Sequence, residues 1–206
     1  MSSRRSLREQ GEDSLRVDRL ELDRNIPGLL QLLDSEFTDV RFGAIQALGR
    51  LGDPRVGLAL MERVGDSDRL NRCMTYEALG VLRLQAAEDL LLNALRDPDD
   101  WVRGAAAAAL CRVGRVETLP RRRAALREVF EEDPELEVRV AAAESLVILG
   151  DKSVRSEIPA LIKGLPWLRR SNPQVKRLKA AAGNEQPLTP YPYLWERLAP
   201  KRRSKA

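Results

Sequence analysis

The sequence predicts an all-α, right-handed solenoid of four to five stacked helix pairs. Three observations carry this. First, one helical pattern recurs: "TDVRFGAIQALGRLGD" (38–53), "LNRCMTYEALGVLRL" (70–84), "WVRGAAAAALCRVGR" (101–115) and "EVRVAAAESLVILGD" (137–151). Second, the copies are evenly spaced. Ala47-Leu48, Ala78-Leu79 and Ala109-Leu110 fall 31 residues apart, and Ser145-Leu146 follows 36 later, with the added residues near "PRRRAALREVFEEDPE". A fixed period with matching apolar positions is the signature of a repeat array. Third, short connections join each helix to the next, which sets neighbours antiparallel. A lone helix pair cannot bury both its faces, but a stack of pairs can.

In chain order, the first unit has helix A at 26–33 ("IPGLLQLL"), a turn at "DSEFTD" and helix B at 39–50, with Asp39 as the expected N-cap. Gly52 followed by Pro54 is a stop signal. Later A helices are expected at 56–64, 87–96, 119–131 and 155–165. Later B helices are expected at 69–82, 100–113, 136–149 and, more weakly patterned, 173–182. The second copy departs from the others, because Arg83 stands where the rest have Gly52, Gly114 and Gly150. Residues 1–14 are polar and expected to be disordered. The array spans 15–183. Residues 184–206, "NEQPLTPYPYLWERLAPKRRSKA", form a Pro-rich basic tail.

Composition narrows the function classes. Aromatic residues are only 4%, so the core must be built of Leu, Val, Ile and Ala. There is no histidine, which removes Ser-His-Asp and Cys-His catalysis and the commonest metal ligand. Cys73 and Cys111 have no metal-binding spacing and fall too far apart for a bridge, so free thiols and a reducing, cytoplasmic setting are expected. No apolar run is long enough to span a bilayer, and the start lacks the apolar core of a secretion signal. The net charge of +4 is unevenly spread. Residues 163–206 hold eleven Lys/Arg against Glu185 and Glu196, a net +9, which leaves −5 for residues 1–162.

The copies at 32–53, 95–114 and 133–151 resemble HEAT-like repeats of the short type found in phycobilin lyases. The resemblance covers about 26–152, with a degraded copy to about 183. It implies a solenoid of HEAT-like helix pairs whose B helices line the inner side. It also implies a mainly structural role for the aligned arginines Arg41, Arg72, Arg103 and Arg139, tied to inter-helix turns through acids such as Asp34, Asp66, Asp97 and Asp133. The other reading of these arginines is a row of phosphate or carboxylate binders.

Two further features are candidate sites. One face of the B helices, opposite the main apolar stripe, is small and apolar with an acidic minority. Phe42, Tyr76, Glu77 and Glu144 are its candidate binding residues. The face can serve tight stacking of neighbouring B helices, or a shallow groove for a partner helix or flat ligand. The second feature is a basic patch, Lys163, Arg169, Arg170, Lys176, Arg177 and Lys179, with Trp167, Tyr191, Tyr193 and Trp195 nearby. It fits either a solvated capping repeat or a nucleic-acid contact.

No catalytic residue, metal ligand or cofactor is assigned. "DPDDW" (97–101) groups three acids with a tryptophan, but it falls in an inter-helix turn, where Asp99 or Asp100 serves as an N-cap. The leading expectation is a non-catalytic scaffold or adaptor that holds a protein partner on its B-helix surface. The alternative implied by the resemblance is a factor that assists attachment or removal of a tetrapyrrole, with a bilin as ligand. A third reading is nucleic-acid binding through the basic end. The oligomeric state is not legible.

Overall fold

The computed structural model describes residues 2–163, together with Lys179 and Gly183. Every regular element among these residues is helical. The order is α1 (Ser2–Leu22), α2 (Ile26–Leu32), α3 (Thr38–Leu51), α4 (Gly57–Met61), α5 (Arg69–Val81), α6 (Glu88–Ala94), α7 (Asp100–Ala109), α8 (Leu119–Glu132), α9 (Leu136–Ile148) and α10 (Lys152–Lys163). Short 3-10 turns at Pro54–Val56 and Gln85–Ala87 lead into α4 and α6. The B helices α3, α5, α7 and α9 pack side by side, and the A helices α2, α4, α6 and α8 lie against them. The expected B helix at 173–182 lies outside the described residues apart from Lys179.

The core is one continuous aliphatic layer between the A and B helices. Leu48, Leu79, Leu110 and Leu146 occupy the same repeat position and are fully buried. Leu29, Leu60, Leu91 and Leu126 of the A helices, also fully buried, belong to the same core cluster. Burying one such leucine stabilises the fold by roughly 1.5–3 kcal/mol. The B helices themselves approach closely through small residues. A Cβ on Gly80 would lie 2.8 Å from Ala109 Cβ, and Ser145 Oγ donates across to the Ala107 carbonyl at 2.7 Å.

Three expectations are corrected. Residues 1–14 were expected to be disordered, yet the chain is helical from Ser2 onward. The reason is packing of the second half of α1. Val17 is buried and lies over Gly43, and Leu20 lies over Gly28, where a Cβ would come within 2.6 Å. Arg50 pairs with Glu21 at 2.5 Å, tying α3 to α1. Helix α1 therefore covers the open end of the first repeat, as terminal units of stacked arrays must. Asp39 is not the N-cap of α3. That position is Phe37, and Asp39 lies in the first helical turn, where its charge suits the helix dipole. Finally, α10 begins at Lys152 rather than 155.

Side chains cap α2, α5 and α7. Asp68 Oδ1 accepts from the amides of Leu70 and Asn71 at 2.9 and 3.1 Å, and Asp99 Oδ1 accepts from Trp101 at 3.0 Å. Asn25 caps α2 through the Gly28 amide.

The helix stops explain the odd second copy. Gly52, Gly114 and Gly150 all have left-handed backbones, with φ of 70°, 88° and 82°. Arg83 adopts the same region, with φ of 50°. A residue with a Cβ is strained there by about 1–2 kcal/mol. Arg83 is exposed, so little packing depends on it. Arg83→Gly is expected to stabilise the protein by about 0.5–1 kcal/mol once the greater freedom of glycine in the unfolded chain is counted. Urea melts of the two proteins measure this, and a loss of stability would contradict it.

Candidate functional site

The B-helix face is built by register. Phe42, Cys73, Gly104 and Val140 share one repeat position, and Gln46, Glu77, Ala108 and Glu144 share the next turn of the same face. The structure does not bring the four candidate residues into one open groove. Tyr76, Glu77 and Glu144 are buried, with 6%, 6% and 2% of their surfaces exposed. Burial raises the Tyr76 hydroxyl above its usual pKa, reinforced by the charge of Asp97 and opposed by Arg72. Phe42 is only half-buried.

Phe42 lines an open cavity of about 540 Å³ at the N-terminal ends of α3 and α5. Phe37, Phe42 and Leu70 supply its apolar wall, and Glu36, Asp39 and Asp68 stand around it. Sequence reasoning missed Phe37 and Leu70. Both fall at helix starts, outside the periodic stripe, and the available signal was two phenylalanines on either side of one helix start.

The cysteines lie on the same face and are both free thiols. Cys73 Sγ faces the Trp101 carbonyl at 3.5 Å, and Cys111 Sγ faces the Ala108 carbonyl at 3.2 Å. Burial pushes the Cys111 thiol above its ordinary pKa, which lowers its nucleophilic fraction.

The arginines form a ladder through the turns. Arg41 Nε and Nη2 donate to both carboxylate oxygens of Asp66 at 2.8 and 2.9 Å, while Nη1 reaches the carbonyls of Ser35 and Glu36. Arg72 makes the same fork to Asp97, at 3.3 Å on each arm, and Arg103 makes it to Asp133 at 2.7 and 3.1 Å. Each arginine thus caps its own turn and grips the aspartate of the next. Arg139 ends the series with a bond to the Phe130 carbonyl at 2.8 Å. Asp34 instead pairs with Arg63 at 2.9 Å.

Asp66, Asp97 and Asp133 each also accept an amide two residues on. Burial alone would raise the Asp66 carboxyl, but the bonds from Arg41, the Asp68 amide and Asn71 outweigh it and hold the group below its usual range. The Arg41 guanidinium is correspondingly raised, chiefly by its hydrogen bond to Asp66. With four of their five donors committed to the protein, Arg41, Arg72 and Arg103 have little left to offer an external anion.

The basic patch falls almost wholly outside the described residues. Of its members, Lys179 is described and exposed, and Lys163 is placed as the last residue of α10. Among the described residues no group of His, Cys, Asp and Glu side chains could hold a metal ion, and no helix is long and apolar enough to cross a membrane.

Comparison with known proteins agrees with this architecture. A family model described as HEAT repeats matches residues 26–111 and 88–183. Among solved structures, an engineered protein shares 17% identity with a TM-score of 0.53, with 77% of each chain covered. The complex of CpcE and CpcF of phycocyanin lyase from Nostoc sp. PCC7120 shares 21% identity with a TM-score of 0.47, covering 82% of this chain and 71% of that one. No curated protein matches. The repeated helix pairs, the stacked B helices and the family match over most of the chain place this protein in the HEAT-repeat family.

Proposed function

We propose that this protein is a non-catalytic scaffold that binds a protein partner at the α3–α5 end of its B-helix face. The cavity beside Phe42 carries this reading. Its apolar walls suit one large aliphatic or aromatic side chain, and the acids at its rim suit a neighbouring Lys or Arg of the partner. The absence of histidine from the whole chain, and the commitment of the ladder arginines to structural bonds, support binding over chemistry.

The test is calorimetry with the purified partner. Phe42→Ala is expected to weaken binding about tenfold, equivalent to about 1.4 kcal/mol, through loss of the apolar contact at a half-buried site. An unchanged affinity in a variant with an unchanged melting temperature would reject this site.

A further inference from the structure

We propose that the outer stripe of α1 is a self-association surface, on which a second copy of this chain docks with its own α1 running parallel, Leu15 on Leu15 and Leu22 on Leu22. The inference stands without the scaffold reading, because no residue of α1 lines the Phe42 cavity.

The first support is where the leucines point. Val17 and Leu20 mark the inner face of α1, where they meet Gly43 and Gly28. Leu15 lies two residues before Val17 and Leu22 two residues after Leu20, in each case about 200° round the helix. Both leucines therefore point away from the array, with 67% and 83% of their surfaces exposed. They are two turns apart and share one line along the helix. Leucines exposed singly need no explanation, but two aligned on the outer side of the end helix do. The outer face of an end unit in a stacked array is ordinarily polar. Gly11 lies near the same line, and no atom comes within 4 Å of where its Cβ would be, which leaves room for a second helix.

The second support is charge. Asp18 and Arg19 stand between the two leucines, about 50° to either side of their line. Both are exposed, and neither is paired among the described residues. A two-fold axis parallel to the helices sets the left flank of one α1 against the right flank of the other at the same height. Asp18 then meets Arg19 of the partner subunit, and the same pair forms again on the other side of the leucines. An antiparallel arrangement would instead face like charges across the contact, so the charges select the parallel one. The rotation also carries the second array to the far side of α1, away from the first.

One helix pair covers less than the roughly 1,600 Å² of a standard interface, so a weak dimer is expected, with a dissociation constant of about 10–100 µM. Sedimentation equilibrium of the full chain, over about 5–300 µM, reads it. Wild type should show a monomer–dimer equilibrium. Leu15→Ser combined with Leu22→Ser should weaken it at least about tenfold, while Leu58→Ser, an equally exposed site on α4, should leave it unchanged. Asp18→Arg and Arg19→Asp should each weaken it about fivefold or more when alone, because each puts like charges on both flanks. An equimolar mixture of these two variants should associate about as tightly as wild type, since opposite charges then meet on both flanks. All the substituted side chains are exposed, so thermal melts of the variants should match wild type.

A wild type that stays monomeric throughout would overturn the proposal. So would a dimer that survives the double leucine substitution. A mixture no tighter than its separate components would overturn the parallel pairing. Phe42→Ala should leave the dimer unchanged, so this surface and the partner site can fail separately.

Discussion

Gly114→Ala is expected to cost roughly 3 kcal/mol, while Gly52→Ala costs only about 1. Both glycines have left-handed backbones, Gly52 as the C-cap of α3 and Gly114 in the turn after α7, so both substitutions carry similar backbone strain. What differs is the space beside them. At Gly52 the nearest atom to a new Cβ is the Arg50 carbonyl oxygen at 4.0 Å. At Gly114 the Cβ would fall 2.4 Å from Glu88 Oε2 and 2.6 Å from Arg122 Nε. The side chains of Glu88 and Arg122 are 10% and 5% exposed and face each other at 3.9 Å. Thr118 Oγ1 donates to Glu88 Oε2 at 2.8 Å, and Arg122 reaches the carbonyls of Leu110 and Arg115. An added methyl must displace a buried charged network that joins α6, the end of the third B helix and α8. Urea unfolding of both variants measures the difference, and equal losses would show that the network does not depend on the missing side chain.

Arg103→Met is expected to destabilise by about 3 kcal/mol, because it leaves Asp133 charged and covered without its partner. The side chains of Arg103 and Asp133 are 13% and 5% exposed, and Arg103 also satisfies the Asp97 and Pro98 carbonyls. The hydrogen bond to Asp133 raises the Arg103 guanidinium above its ordinary pKa, against the opposing effect of burial. Arg121→Met is the control. Its pair with Asp89 is 2.6 Å long but 61% and 75% exposed, so solvent screening should hold its loss within about 0.5 kcal/mol. Asp133→Asn added to Arg103→Met should recover part of the loss, since it removes the stranded charge. Similar melting curves for the Arg103 and Arg121 variants would remove the ladder from the account of how repeats are held in register.

The fold was legible because a repeat states its pattern several times. Leu48, Leu79, Leu110 and Leu146 mark the core, and the even spacing of Arg41, Arg72 and Arg103 marks the turns before any contact is known. Helix α1 was not legible, because few of its residues are apolar and its packing rests largely on Val17 meeting Gly43 on α3 and Leu20 meeting Gly28 on α2. Asp39 was misplaced as a cap because the turn before α3 differs in composition from those before α5 and α7, where Asp68 and Asp99 do cap.

The candidate site was legible only in part. A helical wheel fixes which residues share a face. It does not say how far each is covered, so Tyr76, Glu77 and Glu144 were grouped with Phe42 although they are buried and it lines a cavity. The walls added by Phe37 and Leu70 belong to turn geometry, which has no period to read.

Affinity capture from the source organism's lysate tests the central claim most directly, using wild type, Phe42→Arg and Leu58→Arg side by side. Leu58 is 73% exposed on the A helix α4 and serves as a surface control. The account predicts one specific protein recovered by wild type and by Leu58→Arg, and lost with Phe42→Arg. Recovery of that protein by all three, or of no specific protein by wild type, would contradict a partner site at the Phe42 end of the B-helix face.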